Sequence, residues 1–243
     1  MRLSMGVLLA ILAALLVGGL IASGVVYARQ QALVQRQQML RSLRQKFDEQ
    51  QNLYDLIFVA DSEPDIAIVL NQNLLELARQ IRALDSRNPE TQALVQQLTS
   101  RGTALGEGLL LPKGERTVNS EAALASLLSG YAHVLQKLQR IKIRGQIAPH
   151  QYESFALHLR HLTLETEVES HLHSAETRLG IGDRSKAINH FVHARDLLKK
   201  TSLEVENRNE RIREISDKLK LAESNQEASG GSNPAKDAGR EKD

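Results

Sequence analysis

The chain has 243 residues, a formal net charge of +2 and 25% charged residues, and it contains no cysteine and no tryptophan. Without cysteine, the chain has no disulfides, thiolate nucleophiles or cysteine-ligated metal centres. Because the charges nearly balance, composition gives no reason to expect nucleic acid as a partner. Helix-forming residues dominate and strand-like alternation is rare, so the composition predicts an all-α protein.

The N-terminus has the composition of a membrane segment. No charged residue occurs between Arg2 and Arg29. As a helix rising about 1.5 Å per residue, residues 5–27 are long enough to cross a hydrocarbon core of about 30 Å. A cleaved signal peptide, the alternative, usually has a shorter apolar stretch of about 7–15 residues. Residues 1–28 are therefore predicted to be a transmembrane signal anchor, which makes membrane lipid an expected partner.

Small residues line one face of this predicted membrane helix. They occupy every fourth position and are Gly6, Ala10, Ala14, Gly18 and Ala22. Such a face lets two membrane helices approach closely and gain packing contacts. The pattern predicts self-association, and hence a homo-oligomer, or docking on another membrane helix. The alternative is that glycine and alanine are simply common in membrane helices.

Basic residues beside the anchor indicate its orientation. The N-terminal flank offers Arg2 and the α-amino group, whereas the other flank carries Arg29, Arg36, Arg41, Arg44 and Lys46. Positive residues close to a membrane tend to stay in the cytoplasm, so we expect the rest of the chain on the cytoplasmic side of a bacterial-type inner membrane. A periplasmic location stays open. The same cations are suited to anionic lipid headgroups.

Residues 29–60 are predicted to continue the membrane helix as a stalk. Leu33, Leu40, Phe47 and Tyr54 recur every seven residues, with Leu43 and Ile57 at the matching positions. Heptad spacing of this kind is typical of a coiled coil. Packing of the same apolar stripe inside a single helical bundle is the alternative, and the spacing does not decide between them.

Residues 61–223 are predicted to form a helical bundle, with residues 224–243 as a disordered polar tail. Capping residues and prolines mark helix starts at Ser62-Glu63-Pro64, Asn88-Pro89 and Ser120. Gly102 is expected to end a helix. The glycine-rich residues 102–119 predict a long loop whose leucine run, residues 109–111, covers the core or meets a partner. A final helix is predicted from the turn at residues 180–183 to Glu223.

Small residues and one aromatic residue are spaced along the last predicted hairpin. They are Ala175, Leu179, Gly182, Ala187, Phe191 and Ala194. Alanines let two antiparallel helices approach, Gly182 permits a tight turn, and Phe191 fills the gap between the helices. Over residues of about 168–201 the spacing resembles a single tetratricopeptide-repeat (TPR) hairpin, which implies a protein- or peptide-binding surface. Any antiparallel hairpin with small residues at its crossing is the alternative.

Histidine is the one titratable residue type that is concentrated in a single region. Folding the hairpin about its glycine turn places His171 and His173 opposite His190 and His193. Grouped imidazoles can bind a metal such as zinc or change charge near pH 6.5. Their spacing is not a recognised metal signature, and solvated histidines are the alternative. Walker, GxSxG and HExxH motifs do not occur, so neither an enzyme nor a cofactor is expected.

These patterns predict a single-pass, membrane-anchored helical scaffold that binds other proteins and self-associates, without nucleic acid as a partner. One alternative is a periplasmic helical-bundle domain with a sensory or envelope-associated role. A second alternative is a module in which the histidine cluster binds metal or responds to pH.

Overall fold

A computed structural model of the chain describes residues 5–230, with side chains described for residue 27 and residues 29–224. This described part forms seven α-helices and no strand, so the all-α prediction is confirmed. The helices are α1 (Met5–Ala60), α2 (Asp65–Leu84), α3 (Pro89–Gly106), α4 (Glu121–Ile143), α5 (Pro149–Gly180), α6 (Arg184–Lys200) and α7 (Arg208–Gly230). The chain divides into two compact units, Met1–Asn52 with Val69–Glu107 and Leu53–Ile68 with Gly108–Asp243.

Among the residues that the structure describes, no helix is both long and apolar enough to cross a membrane.

The predicted anchor, residues 1–28, lies outside the described residues or, within α1, outside the described side chains except for Tyr27. The same holds for the small-residue face of Gly6, Ala10, Ala14, Gly18 and Ala22. Helix α1 itself is unbroken from Met5 to Ala60, which confirms that one helix runs through residues 29–60.

Helix α1 packs against α2 in the first unit. Leu43 is buried with Leu77 and Ile81, and Phe47 packs against this cluster. Leu43 and Phe47, two of the residues with heptad spacing, therefore pack against α2 in a helical bundle, which was the alternative to a coiled coil. Leu33, by contrast, is 57% exposed.

Two of the basic residues beside the anchor have partners within this first unit. The guanidinium of Arg36 donates to the carbonyl oxygen of Leu84, the last residue of α2. Arg44 forms an ion pair with Asp85 at 3.2 Å. Cations suit the end of a helix because the last carbonyl groups there have no partner within the helix. Arg36 and Arg44 therefore contact the end of α2. The remaining basic residues are the ones without such a described contact to α2.

Helix α3 ends at Gly106, four residues beyond the predicted end, so the prediction that Gly102 terminates it was wrong. A Cβ atom at Gly102 would lie 2.8 Å from the Nδ2 atom of Asn71 on α2. That amide donates to the carbonyl oxygen of Leu98, and its oxygen accepts from Arg101 at 2.6 Å. Gly102 thus permits a close approach of two helices.

Helix α5 is the central element of the second unit. Every second residue of one stretch is buried, namely Leu162, Leu164, Thr166, Val168 and Ser170. Residues two apart point in directions about 200° apart around an α-helix with 3.6 residues per turn. The alternation therefore means that α5 is covered on two opposite sides. It packs against both α4 and α6, and α6 packs in turn against α7.

The last predicted helix is interrupted, so the prediction of one continuous helix to Glu223 was wrong. Thr201 has extended backbone after α6, and Asn207 adopts a left-handed φ of 51° before α7. Arg208 donates to the carbonyl oxygens of Leu198 and Lys199 and so satisfies the free end of α6. Helix α7 extends to Gly230, so residues 224–230 of the predicted tail are helical, and residues 231–243 lie outside the described residues.

Gly130 on α4 offers a test of the packing between α4 and the end of α1. A Cβ atom at this buried glycine would overlap the side chain of Leu56. Gly130→Ala is therefore expected to lower the free energy of unfolding by about 1–3 kcal/mol through overpacking. Chemical unfolding of the full chain in detergent micelles, followed by circular dichroism, measures the change.

Gly106→Ala is the matched control, because this helical glycine has open space around it. Alanine there should leave stability unchanged or raise it by up to about 1 kcal/mol. Equal unfolding curves for the two variants would contradict the packing of α4 on Leu56.

Candidate functional site

The α5–α6 hairpin is closed by a glycine turn. Gly182 has a φ of 81°, a backbone conformation that residues with a side chain rarely adopt. Its N–H donates to the carbonyl oxygen of Leu179, and the N–H of Asp183 donates to that of Arg178. The Asp183 carboxylate then accepts from the backbone N–H of Lys186 and caps α6. The turn therefore pairs the free carbonyls at the end of α5 and orients α6 back along it.

The residues predicted to pack this hairpin lie along its apolar side. Ala175, Phe191 and Ala194 are fully buried in one cluster, and Leu179 is partly buried against it. Ala187 is also fully buried. Ile215 and Leu219 of α7 complete the cluster, so α7 covers part of the hairpin. The sequence did not predict that α7 packs back onto this surface.

Three of the four predicted histidines meet across the hairpin. The Nδ1 atom of His171 on α5 lies 3.1 Å from the Nδ1 atom of His190 on α6. The ring centroid of His171 lies 4.4 Å from that of His193, also on α6, in an edge-on arrangement. His173 is exposed and lines a neighbouring groove with His190. The structure thus forms a histidine trio of His171, His190 and His193 in place of two facing pairs.

The trio holds His171 uncharged at neutral pH. Burial above all, together with the neighbouring imidazoles of His193 and His190, lowers the pKa of His171 to about 4. A protonated ring at this position would lose its hydration, which disfavours the charged form. In the contact between the two Nδ1 atoms, one nitrogen carries the hydrogen and the other accepts it.

An open groove with a volume of about 510 Å³ separates the trio from the start of α4. Its α4 side presents Glu121 and the apolar side chains Leu124, Ala125 and Leu128. Lys186 and Asn189 line the α6 side. Across the described residues, no three His, Asp or Glu side chains come together in a way that could hold a metal ion.

His158, a histidine outside the trio, contacts the carboxylate of Asp61, a pairing that the sequence did not predict. The Nε2 atom of His158 on α5 lies 2.9 and 3.0 Å from the two carboxylate oxygens of Asp61, which is only 1% exposed. Asp61 also accepts from the backbone N–H groups of Ser62 and Glu63. The hydrogen bond to Asp61 raises the pKa of His158, against the opposing effect of burial. No local pattern links two residues that lie 97 positions apart.

The loop that follows α3 is fastened to both α1 and α5. The backbone N–H groups of Lys113, Gly114 and Glu115 donate to the carbonyl oxygens of Phe58, Asp61 and Val59, respectively. Arg116 forms two hydrogen bonds of 2.9 Å to the carboxylate of Glu169 on α5. Of the leucine run at residues 109–111, Leu109 is 78% and Leu111 is 61% exposed, so these two side chains do not cover the core, which was one of the two alternatives for the run.

Comparison of the chain with protein-family models, with curated proteins and with solved structures finds no match. The resemblance of residues of about 168–201 to a tetratricopeptide-repeat hairpin therefore stays a prediction from the residues that suggested it.

His158→Gln tests the contribution of the pair with Asp61. Because the pKa of His158 is raised in the folded chain, its contribution is fully present below the unfolded pKa of about 6.5 and is lost as pH rises through the folded value. The stability difference between the wild type and His158→Gln should therefore shrink as pH increases from about 6. Unfolding free energies measured at a series of pH values give this difference.

His150→Gln is the control, because His150 is an exposed residue of the same helix. It should leave the pH dependence of stability unaltered. A pH-independent difference between the wild type and His158→Gln would show that the pair does not strengthen on protonation.

Proposed function

We propose that the chain is a non-enzymatic scaffold, anchored in a membrane by residues 1–28, whose helical body binds other proteins. The observation that carries the proposal is the continuity of α1. Residues 5–28, which carry no charge, belong to the helix that ends at Ala60 and packs against α2 through Leu43 and Phe47. An apolar segment joined to a folded body by an unbroken helix fixes that body beside the bilayer. The support for the membrane segment itself comes from the sequence.

The proposed cytoplasmic orientation rests on basic residues that the fold leaves exposed. Arg36 and Arg44 hold α2, whereas the side chains of Arg29, Arg41 and Lys46 are exposed on α1. Near an anionic leaflet each such cation contributes about 1 kcal/mol of attraction. Of these three, Arg29 directly follows the apolar stretch and is the one we propose to lie at lipid headgroups, because a rise of about 1.5 Å per residue carries Arg41 and Lys46 farther from the membrane along α1.

Self-association is proposed for the first half of α1. Every described side chain from residue 29 to residue 39 is exposed. Among them, Leu33, Val34 and Met39 are 57%, 52% and 58% exposed. Exposed apolar side chains on a helix are a feature of association surfaces. They continue the helix that carries the small-residue face, which supports a homo-oligomer formed through α1.

The α5–α6 hairpin is proposed as the protein-binding surface. The groove beside it combines an apolar wall, Leu124, Ala125 and Leu128, with polar groups from Glu121 and Lys186. Binding surfaces commonly join an apolar centre to a polar rim in this way. The resemblance to a tetratricopeptide-repeat hairpin supports the same role, and the absence of a catalytic motif from the sequence supports a non-enzymatic one.

Membrane anchoring is tested with the full chain carrying a C-terminal fluorescent protein, which folds in the cytoplasm, or a C-terminal alkaline phosphatase, which is active in the periplasm. The wild type should stay in the membrane fraction after alkaline carbonate washing and should fluoresce. Leu15→Arg/Leu16→Arg should release the chain into the soluble fraction, because each arginine at the centre of a membrane helix costs about 2.5–3.5 kcal/mol.

The matched control is Leu33→Arg/Val34→Arg, which adds the same charges on α1 beyond the apolar segment and should leave the chain in the membrane. Release of the wild type by carbonate would overturn the anchor. An active phosphatase would retain the anchor but place the body in the periplasm, as a sensory or envelope-associated domain.

A further inference from the structure

We propose that the histidine trio, His171, His190 and His193, is a proton-operated clasp that holds α6 against α5 at neutral pH and releases it in acid. The clasp regulates the hairpin to which the previous section assigns protein binding. It does not depend on membrane anchoring, because all three residues belong to the second unit.

The geometry between His171 and His190 makes the contact sensitive to a proton. Two imidazole Nδ1 atoms at 3.1 Å can share only one hydrogen between them. A second proton at this contact removes the accepting lone pair and sets two N–H donors against each other. Since His193 lies edge-on to His171 at 4.4 Å, a charge on either ring also opposes a charge on the other.

The surrounding packing leaves the rings little room to separate unless the helices do. Ala175, Ala187 and Ala194 are fully buried at the crossing, so the backbones of α5 and α6 approach closely. Helix α6 spans only Arg184–Lys200 and has a turn before it and the non-helical residues 201–207 after it. A short helix bounded in this way can move as one body.

Neighbouring charges do not neutralise the protonated trio. The charged and titratable groups around it are Glu121 on α4, Glu167, His173 and Arg178 on α5, and Lys186 on α6. From α7 the hairpin receives the apolar Ile215 and Leu219 and the ion pair of Lys218 with Glu176. Glu121 is the one acid that lines the groove beside the three rings, and Lys186 opposes it there. With Glu167, which interacts with His193, two carboxylates face the trio, and two carboxylates do not offset three imidazolium charges.

The direction of the pH effect follows from the His171 pKa of about 4 in the closed hairpin and its ordinary value of about 6.5 when solvated. Between these two values the open form binds more protons than the closed form. Lowering the pH from about 6.5 to 4 therefore favours the open form. The pair of His158 with Asp61 has the opposite sign, because the raised pKa of His158 makes this pair favour the folded unit in acid.

A distance measurement across the hairpin tests the clasp. The chain has no cysteine, so Arg160→Cys on α5 and Lys199→Cys on α6 accept spin labels selectively, and both side chains are exposed. Pulsed electron paramagnetic resonance on the full chain in detergent micelles compares pH 7.5 with pH 4.5. We expect the distance between the labels to lengthen by about 2–5 Å in acid and its distribution to broaden. An unchanged distance at the two pH values would overturn the proposal.

His171→Asn/His190→Asn keeps a polar atom near each Nδ1 position but cannot become charged, so it should abolish the change in distance. His133→Asn/His150→Asn replaces two exposed histidines outside the trio and should retain the change in full. Opening that persists in the first variant, or that is lost in the second, would contradict the clasp.

If the His171→Asn/His190→Asn variant fails to fold at pH 7.5, the clasp is tested instead by nuclear magnetic resonance titration of the histidine ring protons in the unsubstituted chain. A midpoint for His171 at least one pH unit below those of His133 and His150 supports the clasp. Coincident midpoints would overturn it.

Discussion

The second unit depends on one constraint, which is that α5 is covered on two opposite sides. Its buried residues include two polar ones, Thr166 and Ser170, which need partners away from water. The hydroxyl of Thr166 lies 3.0 Å from that of Tyr131 on α4, and the hydroxyl of Ser170 accepts from the backbone N–H of Val118. The polar groups on α5 therefore also fix the elements that cover it.

Charged groups extend the same arrangement to the partly exposed edge of α5. Glu165 pairs with Arg211 of α7, and Glu169, one turn later, pairs with Arg116 of the loop. Each arginine donates two hydrogen bonds to its carboxylate, the geometry that makes such pairs strong and directional. Because the loop, α4, α6 and α7 all bind α5, a change at the hairpin can be transmitted to each of them through one helix.

Local signals in the sequence predicted much of the fold, and long-range contacts decided the rest. Proline and capping residues gave the starts of α2, α3 and α4, since their effect acts within one helical turn. The alternation of buried residues on α5 has a period of two, so an amphipathic pattern could not reveal its central position. Residues 201–207 contain neither glycine nor proline, and the break there depends on Arg208 reaching two carbonyl groups of α6. The trio was predictable in part because the glycine turn sets the register of the hairpin, whereas the contact of His158 with Asp61 had no local signal.

Hydrogen exchange of the native full chain, resolved by residue, tests the central position of α5 most directly. Amides in residues 159–170 should be the slowest to exchange among the described residues, and their exchange free energy should equal the free energy of global unfolding. Slowest exchange in another helix, with α5 exchanging as fast as the exposed residues 29–39 of α1, would contradict the account.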